Sequence, residues 1–333
     1  MKRRIQHIAA AMLLSAIVVT GCGQKPTPTT KASEPGTTTS NGTLPKETGS
    51  GLAYTVPGAT QPGKPKATAV LTKPSGKTSD GSAASKPGEK EPDLSEIKTG
   101  DAYDTATVRR WMWDTTAKNY PKQKLVFLTF DDGPSWNNTP KVLDVLKANN
   151  IHGTFFYLTS GGFEDNADIV RRTAAEGHRI AIHSNSHEYD YLYPHGIADP
   201  EIVVDDAMKT VAKIKKILGN DWTTSAYRFP GGSMSWVDNA EAKAAMKKTI
   251  QGLADHGLQY MDWNTMTGDA DLNNKDKSPE GLVSFLKKQT ESAEGHVMVV
   301  LMHDAAHVNN TPKALQGVID YFKGMGYEFA TLK

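Results

Sequence analysis

Cysteine is all but missing: the 333-residue chain has one, Cys22. An internal disulfide is therefore excluded, and any exported domain has to stand on its own core. A surplus of one charge is missing too. Lys and Arg number 38 and Asp and Glu 37, for a net charge of +1, which gives no global attraction for nucleic acid or a strongly acidic partner. No basic stripe with interleaved aromatics occurs either, so nucleic-acid binding is set aside. The apolar run near the N-terminus, IAAAMLLSAIVV, is too short to favour a spanning helix. Between Gly23 and Pro92 large apolar side chains are scarce, as in KPTPTTKASEPGTTTSNGT. Such a stretch cannot bury enough surface to offset its ordering entropy. There is no internal repeat.

What is present divides the chain. Lys2, Arg3 and Arg4, the apolar run and VTGC have the pattern of an export signal. With cysteine at the first mature position, the pattern resembles a bacterial lipobox. That implies a signal peptide over 1–21, a diacylated Cys22 and a lipid anchor in the membrane. Residues 22–92 read as a disordered Thr/Ser/Pro/Gly-rich tether, spanning about 45–50 Å root mean square as a flexible coil. Residues 93–121 form a lead-in whose RRWMWDTT reads as ordered, and 122–333 one folded domain.

That domain alternates short β-rich apolar runs with helices of 3.6-residue period. KLVFLTF, TFFYLTS, HRIAIHS, SAYRFPG, LQYMDWNT, HVMVVLMHD and YEFATL are separated by runs such as DDAMKTVAKIKKILG. Repeated β/α units with a buried parallel sheet follow from this pattern. Seven strands predict an α/β fold, a distorted (β/α)7 barrel, with an open doubly wound sheet as the alternative.

The polar residues sit at the ends of these strands. Asp131 and Asp132 follow the first, His183 the third and Arg228 the fourth; Asp269 lies beyond the fifth, and His303 with Asp304 ends the sixth. In parallel β/α folds such ends share one face, where sites form. Adjacent carboxylates repel, so the pair either faces water, caps a helix, or is held by a metal or a proton-transfer task. His183 and His187 are four residues apart, and on a helical turn both rings would point the same way. An arginine at the end of an apolar strand needs an anionic partner. In RFPGG, Pro230 fixes a turn and Gly231 lets backbone approach a ligand, so its N–H could complete an oxyanion site.

TFDDGP, HSNSH, RFPGG and LMHD, in this order, resemble the motifs of the polysaccharide deacetylases, carbohydrate esterase family 4, also called the NodB homology domain. The resemblance covers 122–333. It implies that Asp132, His183 and His187 hold zinc or another divalent metal such as cobalt or nickel. It implies that Asp131 is the general base, that Arg228 orients it, and that His303 is the general acid. Leu301 would line the pocket for the acetyl methyl, and Asp269 in TGDADL would tune His303. Asp304 is expected to cap or brace its loop. One departure stands out: where the family has a tryptophan after the tuning acid, this chain has Ala270, with Trp136 and Trp263 as candidates to fill the space.

The expected function is metal-dependent removal of acetate from an N-acetylated extracellular glycan, peptidoglycan N-acetylglucosamine first. The expected enzyme is an extracytoplasmic, membrane-anchored monomer. Alternatives are chitin oligomers or acetylated xylan as substrate, or a wall-binding lipoprotein without catalysis.

Overall fold

The computed structural model describes residues 98, 99 and 101–333, with the exception of residue 273. The signal peptide, Cys22 and the tether, 22–92, lie outside the described residues, as do 93–97.

The chain enters through β1 (Lys98–Thr99), β2 (Ala102–Tyr103) and helix α1 (Thr105–Trp113). Then β3 (Leu125–Asp131), α2 (Thr139–Ala148), β4 (Thr154–Leu158), α3 (Ala167–Ala175) and β5 (Arg179–Ser184) follow. A single turn, α4 (Tyr189–Leu192), leads to α5 (Pro200–Leu218), β6 (Ala226–Tyr227) and α6 (Ala240–Asp255). The last part comprises β7 (Gln259–Tyr260), β8 (Thr265–Met266), α7 (Pro279–Ser292), β9 (Val297–His303), α8 (Thr311–Gly324) and β10 (Glu328–Leu332). Several helix starts are locally encoded. Asp199 before Pro200 and Ser278 before Pro279 both accept backbone N–H groups of the first turn, as capping residues next to an N1 proline do.

Seven parallel strands curl into an open barrel in the order β8-β9-β3-β4-β5-β6-β7. All seven residues of β3 are buried, because one face meets helices and the other the barrel interior. Its alternate residues separate accordingly. Leu125 and Phe127 join Phe156, Ala181, Val297 and Val299 in one apolar cluster, while Val126, Leu128 and Phe130 join α2, α5 and α8 in a second. Helix α1 belongs to the first cluster through Val108, Trp111 and Met112, each worth about 2 kcal/mol when buried. It packs on β9 and β7, and Arg109 fastens it by donating to the Tyr260 carbonyl at 2.8 Å. The lead-in thus packs against the apolar cluster that the strands form.

The seven strands are not all those expected. The run LQYMDWNT breaks into β7 and β8, because the carbonyls of Met261 and Asp262 accept hydrogen bonds from Arg228. The run YEFATL, expected as the seventh barrel strand, forms β10. It pairs with Leu125–Phe127 of β3 and with β2, sharing with β4 the edge of β3 that β9 leaves free.

Candidate active site

The ladders set the site. Register pairs Asp131 of β3 directly with His303 of β9. On the other side, β5 pairs with β6 at Ile182 and Tyr227, and Arg228 N donates to Ile182 O at 2.8 Å, so His183 and Arg228 emerge together. Strand alternation turns these side chains to the mouth of the barrel interior.

The two aspartates diverge at once. Asp131 is the last residue of β3 and is buried. Its Oδ1 accepts from Arg228 Nη1 at 2.7 Å. Arg228 is itself buried, and its other donors reach Thr129 Oγ1 at 2.8 Å, Met261 O at 2.9 Å and Asp262 O at 3.1 Å. Its guanidinium lies 4.1 Å from the ring centre of Phe156. A planar fork with every arm engaged fixes one face of Asp131.

Asp132 leaves the strand with φ of 69°, and its Oδ1 is buried without a hydrogen-bond donor. That oxygen faces His183 Nε2 at 3.4 Å and His187 Nε2 at 3.5 Å. His183 Nδ1 donates to the Arg228 carbonyl at 2.8 Å, so in the neutral ring Nε2 keeps its lone pair for the centre of the group. One oxygen and two ring nitrogens, mutually within 4.8 Å, suit a divalent ion with positions left open. Among the described residues this is the one such Asp/His group. The electrostatics agree. Burial pushes the Asp132 carboxyl up, but His183, His303 and His187 outweigh it and hold the group well below the carboxylate range. Burial and the His183 charge press His187 down.

The histidines do not share a helical turn, as their spacing suggested. His183 lies on β5, and His187 sits in the following loop with φ of 56°. The two rings are brought together by Asp206, which the sequence reading passed over. Buried on α5, its carboxylate accepts from Ser184 Oγ at 2.6 Å, Asn185 N at 2.7 Å and Ser186 N at 2.9 Å. Ser184 Oγ in turn accepts from His187 N at 2.8 Å. A signal existed: Asp206 falls on the buried stripe of α5 with Val203, Ala207, Thr210 and Ile214, where a carboxylate needs a task.

Asp269 reaches His303. Its Oδ1 lies 2.9 Å from His303 Nδ1, and its Oδ2 accepts from His303 N at 2.7 Å and Thr311 Oγ1 at 2.6 Å. Burial alone would lower the His303 pKa, but Asp269, then Asp132 and Asp131, push it up to about 9. Leu301, two residues before His303 on the same face, is buried and pairs with Thr129 and Met266. Pro230 and Gly231 form the turn after β6; the Pro230 carbonyl accepts from Trp236 Nε1 at 2.9 Å, and Gly231 has φ of 77°.

Asp304 braces its loop, as expected. It is fully buried, accepts from Thr139 Oγ1, and is pushed up to about 7 by burial and the nearby Asp132 and Asp131. A Cβ at Gly133 would lie 2.4 Å from its carboxylate, so only glycine fits there. Trp263 lies 5.6 Å from the Arg228 guanidinium and against Gly232. Trp136 stands exposed. Beside Ala270 is a cavity of about 380 Å³, lined by Asp269, Lys277, His307 and Asn309 among others.

A family model described as polysaccharide deacetylase matches residues 118–261. A peptidoglycan-N-acetylglucosamine deacetylase of Bacillus cereus is 30% identical over 213 residues, 63% of this chain and 70% of that protein. The chain belongs to the polysaccharide deacetylase family. The solved structure of a Streptococcus mutans CE4 esterase superposes with a TM-score of 0.63 at 37% identity, covering 70% of this chain and 93% of that one. The peptidoglycan-N-acetylglucosamine deacetylase PgdA of Listeria monocytogenes is 29% identical over 74% of this chain, which spans about half of that relative, 47%.

Proposed function

We propose that the chain is a zinc-dependent N-deacetylase of an extracytoplasmic glycan, acting on N-acetylglucosamine of peptidoglycan, and that it works as a monomer anchored to the membrane through lipidated Cys22. The observation that carries the reading is the division of labour between neighbours. Asp131 is held by Arg228 at 2.7 Å, while the orphaned Oδ1 of Asp132 faces two imidazole nitrogens. Family membership and the names of the relatives support the substrate class. The signal and tether pattern supports the location.

Hydrolysis of an acetamide consumes one water, breaks the C–N bond, and leaves acetate and a free amine. A divalent ion held by Asp132, His183 and His187 supplies Lewis acidity toward the acyl oxygen and a more acidic water. Asp131 accepts the proton of the attacking water, because its own lone pairs are not committed to the metal group. Arg228 keeps that carboxylate oriented. His303, protonated at neutral pH and held at Nδ1 by Asp269, presents Nε2 to the departing nitrogen and gives it a proton. Leu301 and the buried wall beneath it receive the methyl group.

Purified protein incubated with N-acetylated peptidoglycan should release acetate, lose activity with chelator and regain it with zinc. Asp131→Asn should retain zinc with turnover down by about 10²–10⁴. Normal turnover by Asp131→Asn would overturn the mechanism, and glycan binding without acetate release would identify a wall-binding protein instead.

A further inference from the structure

Seven large apolar side chains stand well exposed among the described residues. Five of them, Trp136, Tyr189, Tyr191, Met234 and Leu272, lie on segments that follow β3, β5, β6 and β8 at their C-terminal ends. Apolar exposure gathered at one mouth marks a surface that binds something. Tyr189 is the best placed. Its ring centre is 5.4 Å from that of His187 and 5.2 Å from that of Trp236. Trp236 stacks on buried Tyr193 at 4.0 Å with 13° between the planes, and its Nε1 is tied to Pro230 O. Tyr189 is thus backed by a packed aromatic column while 46% exposed itself. The column runs from the candidate metal group through Tyr189 and Trp236 to buried Tyr193.

A flat aromatic surface with a firm backing suits a ligand that is apolar on its face and polar at its edge. Pyranose rings have that character. The exposed neighbours of Tyr189 are Glu188 and Asp190, whose carboxylates accept from sugar hydroxyls and repel an anionic lipid surface. We propose that Tyr189, supported by Trp236 and Tyr193, is the floor of a subsite for a second sugar, adjoining the one whose acetamide enters the Asp132–His183–His187 group. This inference rests on the deacetylase reading and adds to it a residue that holds the neighbouring sugar.

The test compares kcat/KM on the disaccharide of N-acetylglucosamine and on N-acetylglucosamine itself. The preference of the zinc-loaded protein for the longer substrate should shrink by about tenfold in Tyr189→Ala and persist in Tyr189→Phe. An unchanged preference, or an equal fall on both substrates, would overturn the subsite. A second arm titrates tryptophan fluorescence of Asp131→Asn with the pentasaccharide of N-acetylglucosamine, with and without Tyr189→Ala. Binding that Tyr189→Ala abolishes sustains the subsite even where no acetate is released, in which case the deacetylase reading alone fails. No pentasaccharide binding, or Tyr189-dependent binding to anionic phospholipid vesicles in its place, overturns the proposal.

Discussion

Arg228 Nη1 lies 2.7 Å from Asp131 Oδ1, and both side chains are buried. Removing one partner of such a pair leaves a charge without water or counterion. Arg228→Met should therefore cost about 3–5 kcal/mol in folding stability. Arg228→Lys should fall between the two, since an ammonium cannot reach Thr129, Met261, Asp262 and Asp131 together. Urea unfolding of the three proteins decides it. A loss below about 1 kcal/mol for Arg228→Met would place the pair at the level of a surface ion pair.

Asp206 is hydrogen-bonded to none of the candidate ligand atoms, yet it arranges the loop that carries His187. Asp206→Ala frees Ser184 Oγ and two backbone N–H groups at once. Zinc affinity measured calorimetrically should drop by about 10–100-fold. Asp206→Asn, which retains one acceptor oxygen, should lose less. If both variants bind zinc like the parent, the loop does not need its anchor.

The contrast between Asp206 and Asp132 shows what the sequence carries. Asp132, His183, Arg228 and His303 sit at the ends of apolar runs, where a polar residue is conspicuous, and the parallel topology brings such ends together. Strands β3 and β9 were legible for the same reason, as unbroken apolar runs. Asp206 lies inside a helix, and only its place on the buried stripe distinguishes it from the solvent-facing Asp205 beside it. The left-handed backbone of His187 left no trace in composition, so a four-residue spacing read as helix. The break between β7 and β8 depends on carbonyls captured by Arg228 from another strand. The packing of α1 on β9 and β7 likewise depends on which apolar surfaces remain uncovered once the strands have closed. Both are tertiary facts with no local signature.

His303 is raised to about 9, with burial opposed first by Asp269. A group needed as its protonated form gives activity that declines as pH climbs through its pKa. The alkaline limb of kcat/KM should therefore lie above the ordinary histidine range, and below about 9 by as much as a bound ion offsets the charges of Asp132 and Asp131. Asp269→Asn removes the anion that favours imidazolium, so the limb should move to lower pH by about 1–2 units. The pH profile of the variant measures this directly, and an unmoved limb would assign it to another group.

Asp304 offers a test through stability. Its carboxyl is pushed up to about 7 by burial in the fold, against 3.8 for the ordinary group. Between those two values the folded protein keeps a proton that the unfolded chain has released. The stabilisation is complete below about pH 4 and is lost as pH rises through 7, where the fold must accommodate a buried carboxylate. The full span corresponds to about 4 kcal/mol, as an order of magnitude. Asp304→Asn keeps an acceptor for Thr139 Oγ1 and cannot ionise. In chelator, where no ion offsets the charges of Asp131 and Asp132, the variant and the parent should have similar denaturant midpoints near pH 4. The variant should be the more stable of the two at pH 8. Parallel stability curves for the two proteins across this range would show that Asp304 is already ionised in the fold.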